Sequence, residues 1–236
     1  MGMALSLVIF SASIPALSYE FIGWEHGATG YKFAFGEAEK EDSPMILFFH
    51  KDSDEWSERM KEEYLADPGV EKFLNEIPRA EVNIGAGDFE KDLAAEYGVE
   101  EEPALFVVLP FSNNKPLGVS PFLKDRDMTP DEFITNIRNI FILGYNEKAH
   151  EYFEKQDYDE SLEYLKKAEI LDPSRSYAFY AAGIVYHTIA IKRRDSGALK
   201  KAEKNYLKAL EIDPDHKESR EGLKDLREDA KKLGIK

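Results

Sequence analysis

Carboxylate side chains have the most obvious capacity for chemistry in this sequence, and they occur in two short runs. The two runs are made up of Asp52, Asp54, Glu55, Glu58, Glu100, Glu101 and Glu102. Oxygen ligands of this type bind Ca²⁺, and the same charges attract lysine and arginine side chains. Trp56 lies in the first run and could add a cation–π contact. The alternative is structural, because carboxylates at the start of a helix stabilise its dipole without binding a ligand.

The residue types and their spacing do not indicate any other kind of catalytic site. The 236-residue chain has no cysteine, which excludes disulfides, thiolate nucleophiles and zinc–thiolate sites. The motifs of phosphate-binding loops, zinc proteases and serine hydrolases are missing from the sequence. Five histidines are scattered without metal-ligand spacing: His26, His50, His150, His187 and His216. We therefore predict no catalytic residue, no metal site and no cofactor.

The net charge of −15 is unevenly distributed. Residues 1–141 contain 12 basic and 27 acidic side chains, whereas residues 142–236 contain 19 of each. An acidic field repels nucleic acid and anionic lipid, and it favours cationic partners. We expect the partner to be another protein, with no nucleic acid and no stable membrane span.

The acidic runs lie in a region where strands and helices alternate. Apolar runs at 45–49 and 104–109 are typical of strands buried on both faces. Helices are predicted from residue 54, over 88–97 and from Thr129, where Thr-Pro-Asp-Glu combines an N-cap, a first-turn proline and a capping-box glutamate. This alternation predicts an α/β domain over residues 19–141. From about residue 143 the pattern is helical only, so the domain boundary is predicted near residue 142.

The helical part contains an internal repeat whose two units each end in Asp-Pro. Corresponding positions in the first unit are Tyr145, Ala149, Tyr152, Tyr158, Leu165, Ala168 and Pro173, and in the second Phe179, Gly183, Tyr186, Ala202, Tyr206, Ala209 and Pro214. This pattern resembles the tetratricopeptide repeat (TPR), a 34-residue helix–turn–helix unit.

The resemblance predicts TPR units at about 142–175 and 176–216 and a capping helix at 217–234. About seven extra residues, including Lys192-Arg193-Arg194, separate the helices of the second unit. TPR arrays bind peptide segments or partner helices on their concave face, which makes a protein partner the expected ligand. A generic helical bundle is the alternative.

Residues 24–141 resemble the thioredoxin-like proteins of bacterial cell envelopes, with Phe49-His50-Lys51-Asp52 before the expected active-site turn. The resemblance places Asp54 and Ser57 at the two redox-cysteine positions, and Pro103 at the proline that faces this turn. Neither side chain can exchange disulfides, so the domain is predicted to be redox-inactive. If Pro103 faces the turn, the two acidic runs converge. The candidate binding cleft comprises Asp52, Asp54, Glu55, Trp56, Glu101 and Glu102.

The N-terminus resembles an export signal. Residues 4–17 are largely apolar and end in the small-x-small pattern Ala16-Leu17-Ser18, although no basic residue precedes them. We interpret residues 1–18 as a signal-peptide-like segment of a periplasmic or exported protein; a buried N-terminal strand is the alternative.

The combined features predict a thioredoxin-like domain followed by an all-α TPR domain. Its expected role is that of a non-catalytic scaffold or chaperone-like adaptor of the bacterial envelope. The alternative is an accessory subunit or enzyme that uses the acidic cleft, for example with bound Ca²⁺.

Overall fold

The computed structural model describes residues 20–101, 103–112 and 115–234. The signal-like segment 1–18 and Glu102 therefore lie outside the described residues. The strands are β1 (Glu25–His26), β2 (Met45–His50), β3 (Arg79–Asn83), β4 (Ala104–Val108) and β5 (Leu117–Val119). The helices are α1 (Gly27–Lys40), α2 (Glu55–Arg59), α3 (Pro68–Leu74), α4 (Asp88–Glu96), α5 (Pro130–Glu154), α6 (Tyr158–Leu171), α7 (Ser176–Arg193), α8 (Ser196–Ile212) and α9 (Lys217–Leu233), and a π-helical segment (Met60–Leu65) follows α2.

The five strands form one sheet in the order β1-β3-β2-β4-β5. Strands β1 and β2 run parallel to β3, whereas β4 is antiparallel to both β2 and β5. Every residue of β2 is buried, as its continuous apolar run predicts. Its side chains alternate between two cores, one containing residues of α1 and α4 and the other residues of the π-helical segment, α3 and α5. This strand order is that of the thioredoxin fold, and the predicted α/β class is confirmed.

Helix α5 joins the sheet domain to the helical part as one continuous element of 25 residues. It starts at the predicted capping box, where Thr129 and Glu132 each cap the backbone of the other. Phe133 and Ile137 are buried in the sheet domain, and Tyr145 is buried about two helical turns farther along. Residue 142, the predicted domain boundary, lies inside this helix, and the division into two domains stays a prediction.

Helices α5–α9 form the predicted TPR-type array. Helix α6 packs on α5, α8 packs on α7, and α9 packs on both α7 and α8. Helices α7 and α8 approach closely where Gly183 faces the ring of Tyr206. A Cβ added at Gly183 would lie only 2.6 Å from this ring. A Cβ at Gly222 would lie 2.8 Å from the same ring. Gly183, a predicted small position, and Gly222, which the sequence analysis did not single out, therefore let the helices approach closely.

The sheet domain and the array share one apolar core. Phe111, just after β4, stacks on Tyr145 with ring centroids 5.1 Å apart and an interplanar angle of 10°. Across the same junction, Lys167 on α6 donates to the backbone oxygen of Asp42 at 3.0 Å. The thioredoxin-like part thus forms a packed base for the first TPR unit.

Candidate functional site

The turn between β2 and α2, together with the first residues of α2, holds Asp54 and Ser57, the two residues that the sequence analysis assigned to the redox-cysteine positions. Asp54 is the N-cap of α2, and its carboxylate accepts a hydrogen bond from the backbone N–H of Ser57 at 2.7 Å. Ser57 is fully buried, and its hydroxyl oxygen accepts from the backbone N–H of Lys51 at 3.3 Å. Both side chains therefore stabilise the turn, and neither can supply thiol chemistry.

The neighbouring carboxylates are also engaged locally. Asp52 accepts from the amide of Asn83 at 2.7 Å, and Glu58 pairs with Lys61 at 3.0 Å. Glu55 and Glu101 are exposed. No group of three histidine, aspartate or glutamate side chains that could hold a metal ion occurs among the described residues. Ca²⁺ needs six to eight oxygen ligands, so these carboxylates offer it no ready site, and their role as a binding cleft stays a prediction.

Trp56 is 47% exposed, but its ring already has intramolecular contacts. It packs edge-on against Phe122 with centroids 5.0 Å apart, and the guanidinium of Arg59 lies 4.8 Å from its ring centre. Arg59 also donates to Glu63 and to Asp127, and these hydrogen bonds raise its pKa. The chain's own arginine therefore occupies the cation–π position predicted for a ligand.

A buried carboxylate with two histidine partners lies beside this turn. Glu81 on β3 contacts Nδ1 of His26 at 2.7 Å and Nε2 of His50 at 2.5 Å. His50 is 3% exposed and stacks on the rings of Phe21 and Phe48, with centroids 5.1 and 5.4 Å away. Burial acts to raise the pKa of Glu81, but the hydrogen bonds with His50 and His26 outweigh it and hold this pKa below its ordinary value.

This network borders an open cleft of about 590 Å³. The cleft is lined by Phe21, His50, Asp52, Ser53, Glu58, Lys61, Glu81 and Asn83. Nδ1 of His50 has no hydrogen-bond partner in the described structure, and the nearest oxygen of Asp52 is 3.9 Å away. In the sequence, the only sign of this network is Glu81, an acidic residue inside an apolar strand. Its partners depend on the strand register, which places His26 opposite Glu81.

A second candidate site is a groove lined by residues of α5, α6 and α7. It consists of two cavities of about 420 and 180 Å³ that share Asn146, His150 and Tyr177. Leu143 and Tyr177, which line the larger cavity, are 52% and 51% exposed. The side-chain oxygens of Asn146 and Ser161 are buried in the lining without a hydrogen-bond partner among the described residues. We call this the TPR groove.

The sequence analysis predicted the packing of this array but not the residues of its groove. The predicted positions Ala149 and Ala168 line the groove, whereas Tyr145 and Tyr164 belong to the core. Leu143, Asn146 and His150 follow one another at helical spacing on α5. This spacing could have marked them as one face, but the sequence does not show that the face is open.

Comparison with known proteins identifies the repeats. A family model described as tetratricopeptide repeat matches residues 144–175 and 185–216. The described residues contain no helix with the length and apolar character needed to cross a membrane. No curated protein matches the chain in sequence.

Two proteins among the similar solved structures are a thioredoxin and a DsbD domain. The thioredoxin from Thermus thermophilus is 21% identical, with 52% of this chain and 91% of that chain covered and a TM-score of 0.41. The oxidised DsbD C-terminal domain from Neisseria meningitidis is 23% identical, with 49% and 97% covered and a TM-score of 0.40. Its reduced form is 24% identical, with 47% and 94% covered and a TM-score of 0.38.

Proposed function

We propose that this protein is a non-catalytic adaptor that holds a segment of another protein in its TPR groove. The observation that carries the proposal is the pair of half-exposed apolar side chains, Leu143 and Tyr177, beside buried acceptors with no partner among the described residues. Binding sites combine apolar walls with a few placed polar groups in this way. The TPR match to residues 144–175 and 185–216 supports a protein as the ligand.

The groove can bind an extended segment through two kinds of contact. Oδ1 of Asn146 is buried without a hydrogen-bond partner in the described structure, so rotation of this amide toward the groove would let it accept a backbone N–H of the segment. An apolar side chain of the segment can cover Leu143 and Tyr177. Burying the exposed half of one large apolar side chain contributes roughly 1 kcal/mol, since complete burial contributes about 1.5–3 kcal/mol.

The thioredoxin-like part acts as a structural base in this proposal. Its sequence contains no thiol, and Asp54 and Ser57 are used to stabilise the turn. Phe111 and Tyr145 join this part to the first TPR unit, so the groove is built on a supported helix. Rigid support lowers the entropy lost on binding.

The groove is tested by selecting a peptide that binds the full chain from a display library and measuring its dissociation constant. Leu143→Asp with Tyr177→Asp should weaken binding by about 10-fold or more, because roughly 2 kcal/mol of apolar burial is lost. Ile170→Asp is the matched control, since Ile170 is 69% exposed and lies outside the groove lining.

Equal affinity for the groove variant and the wild type would contradict the proposal. Loss of binding in Asp52→Asn with Glu55→Gln, and not in the groove variant, would instead place the partner at the acidic cleft.

We also propose that the chain is exported and works in the bacterial envelope. The apolar run ending in Ala16-Leu17-Ser18 supports this location. A C-terminal fusion to alkaline phosphatase tests it in a Gram-negative host, because that reporter needs disulfides that form in the periplasm. We expect activity for the full chain and its loss in Val8→Arg, which interrupts the apolar run. Equal reporter activity with and without this change would contradict export through residues 1–18.

A further inference from the structure

Both helices of the second hairpin are longer than α6, the second helix of the first hairpin. Helix α7 has 18 residues and α8 has 17, whereas α6 has 14. Ala190 and Ala198 are buried where the two helices meet, and the backbone N–H of Asp195 donates to the oxygen of Ala190 at 3.0 Å. The carboxylate of Asp195 caps α8 by accepting from two backbone N–H groups. The turn between α7 and α8 is therefore a well-packed tip of this hairpin.

Basic side chains are concentrated at this tip and along α8. Seven basic residues lie between positions 192 and 208, but only two acidic ones, Asp195 and Glu203. Asp195 is used as the cap, and Glu203 pairs with Arg227 on α9 at 2.9 Å. Six of the seven basic side chains are exposed and have no acidic partner among the described residues. Lys192 instead donates to Gln156 and Tyr158, and Lys201 lies over the ring of Tyr186. The remaining four are Arg193, Arg194, Lys200 and Lys204. We call these four residues the basic tip.

We propose that the basic tip is a docking surface for an acidic segment of a partner protein. One shallow groove of about 380 Å³ is lined by Lys200, Lys204, Lys208 and Leu207, and Leu207 is 47% exposed. Glu203 and Glu211 also line it, but each already pairs with a basic side chain, Arg227 and Lys208 respectively. Lysines four residues apart on a helix recur about every 6 Å. Alternate side chains of an extended segment recur at about 6.6 Å, so successive acidic side chains can each meet a lysine. The surface is separate from the TPR groove and does not depend on its function.

The charge of the rest of the chain favours a short segment over an extended polyanion. The net charge is −15, and this excess lies in residues 1–141. A membrane surface or a nucleic acid is large enough to meet that acidic part as well, and it would be repelled. At physiological salt, charges more than about 8 Å away are largely screened. A short acidic segment therefore responds mainly to the local basic tip.

The test uses a fluorescein-labelled peptide of six Glu-Ser repeats and the full chain, with anisotropy measured from low to physiological salt. The tip variant combines Arg193→Gln, Arg194→Gln, Lys200→Gln and Lys204→Gln. The control variant combines Lys155→Gln, Lys166→Gln, Lys224→Gln and Lys232→Gln, whose lysines each have an acidic neighbour on the same helix. Each variant removes four positive charges, which changes the net charge from −15 to −19.

We expect the tip variant to bind the peptide at least 10-fold more weakly than wild type and with a smaller salt dependence. The control variant should stay within about 2-fold of wild type, because its four lysines lie outside the basic tip. The tip and control variants have the same net charge, so long-range steering of the peptide changes equally in the two variants. Tyr177→Asp, a change in the TPR groove, should leave this binding unaltered.

Three results would overturn the proposal. One is equal weakening in the tip and control variants, and another is no binding of the peptide by wild type at any salt concentration from low to physiological. The third is a tip-dependent interaction with another ligand that is tighter than the binding of the peptide. That ligand could be phosphatidylglycerol vesicles or, in sedimentation, a second copy of the chain. Circular dichroism of the tip variant must show the wild-type thermal transition, and a variant with Lys200→Gln and Lys204→Gln alone replaces it if the fourfold variant unfolds.

Discussion

Gly183→Ala tests the close packing of α7 against α8 that defines the repeat. The added Cβ would lie 2.6 Å from two atoms of the Tyr206 ring, a distance that real Cβ contacts essentially never show. Tyr206 is 1% exposed and is also approached by Gly222. The ring is large and enclosed, so the contact must be relieved by a shift of the helices.

Two opposing effects set the size of the change in unfolding free energy. In a helix interior, alanine is more favourable than glycine by about 1 kcal/mol of folding free energy. Overpacking of a filled core costs about 1–3 kcal/mol, so Gly183→Ala should be destabilised by up to about 2 kcal/mol. Gly36→Ala in α1 is the matched control, since no described atom lies within 4 Å of its added Cβ. That variant should be stabilised by up to about 1 kcal/mol.

Urea unfolding followed by circular dichroism measures both variants and a double-mutant cycle with Tyr206→Leu. In the Tyr206→Leu background the steric conflict is reduced, so Gly183→Ala should become neutral or stabilising there. Stabilisation of the wild-type background by Gly183→Ala to the same extent as by Gly36→Ala would refute the packing argument.

Three further changes test other parts of the account. Phe111→Ala should cost about 3–5 kcal/mol and replace a single calorimetric transition with two, because Phe111 joins the sheet domain to the array; an unchanged transition would contradict the shared core. The pKa of Glu81 is lower in the folded protein than its ordinary value. Ionised Glu81 therefore stabilises the fold above its unfolded pKa of about 4.3, and this contribution is lost as the pH falls through the folded pKa. Glu81→Gln should therefore flatten the acid loss of unfolding free energy below about pH 5, and a curve parallel to wild type would be contrary to this mechanism. Asp54→Cys with Ser57→Cys should form an oxidisable disulfide on thiol titration if the two positions correspond to a redox pair, and thiols that stay free under oxidant would show that they do not.

Local sequence patterns predicted much of the fold because the forces that form these elements act over a few residues. The apolar run of β2 is buried on both faces, and the capping box of Thr129 and Glu132 starts α5 where expected. The small residue predicted at position 183 faces a ring, although the family match to the second repeat begins at residue 185. The two-residue strand β1 was not predicted, since so short a segment has no periodicity.

The contacts of the candidate sites were less predictable because they depend on register and on the path of the helices. Glu81 meets His26 and His50 only because three strands align in one register. Trp56 and Arg59 lie three residues apart on α2, so their contact is local, whereas Phe122, which packs against both, comes from a distant loop. The open face of α5 is a property of how α6 and α7 pack around it.

Site-specific photo-cross-linking in the native organism tests the central claim of partner binding in the TPR groove most directly. A photoreactive phenylalanine analogue replaces Leu143, Tyr177 or, as the control of similar character, Ile170; a fourth variant carries it at Glu55 beside the acidic turn. We expect the same partner adduct from positions 143 and 177 and none from 170 or 55. An adduct of equal yield from position 170, or one formed only from position 55, would contradict the proposed use of the groove.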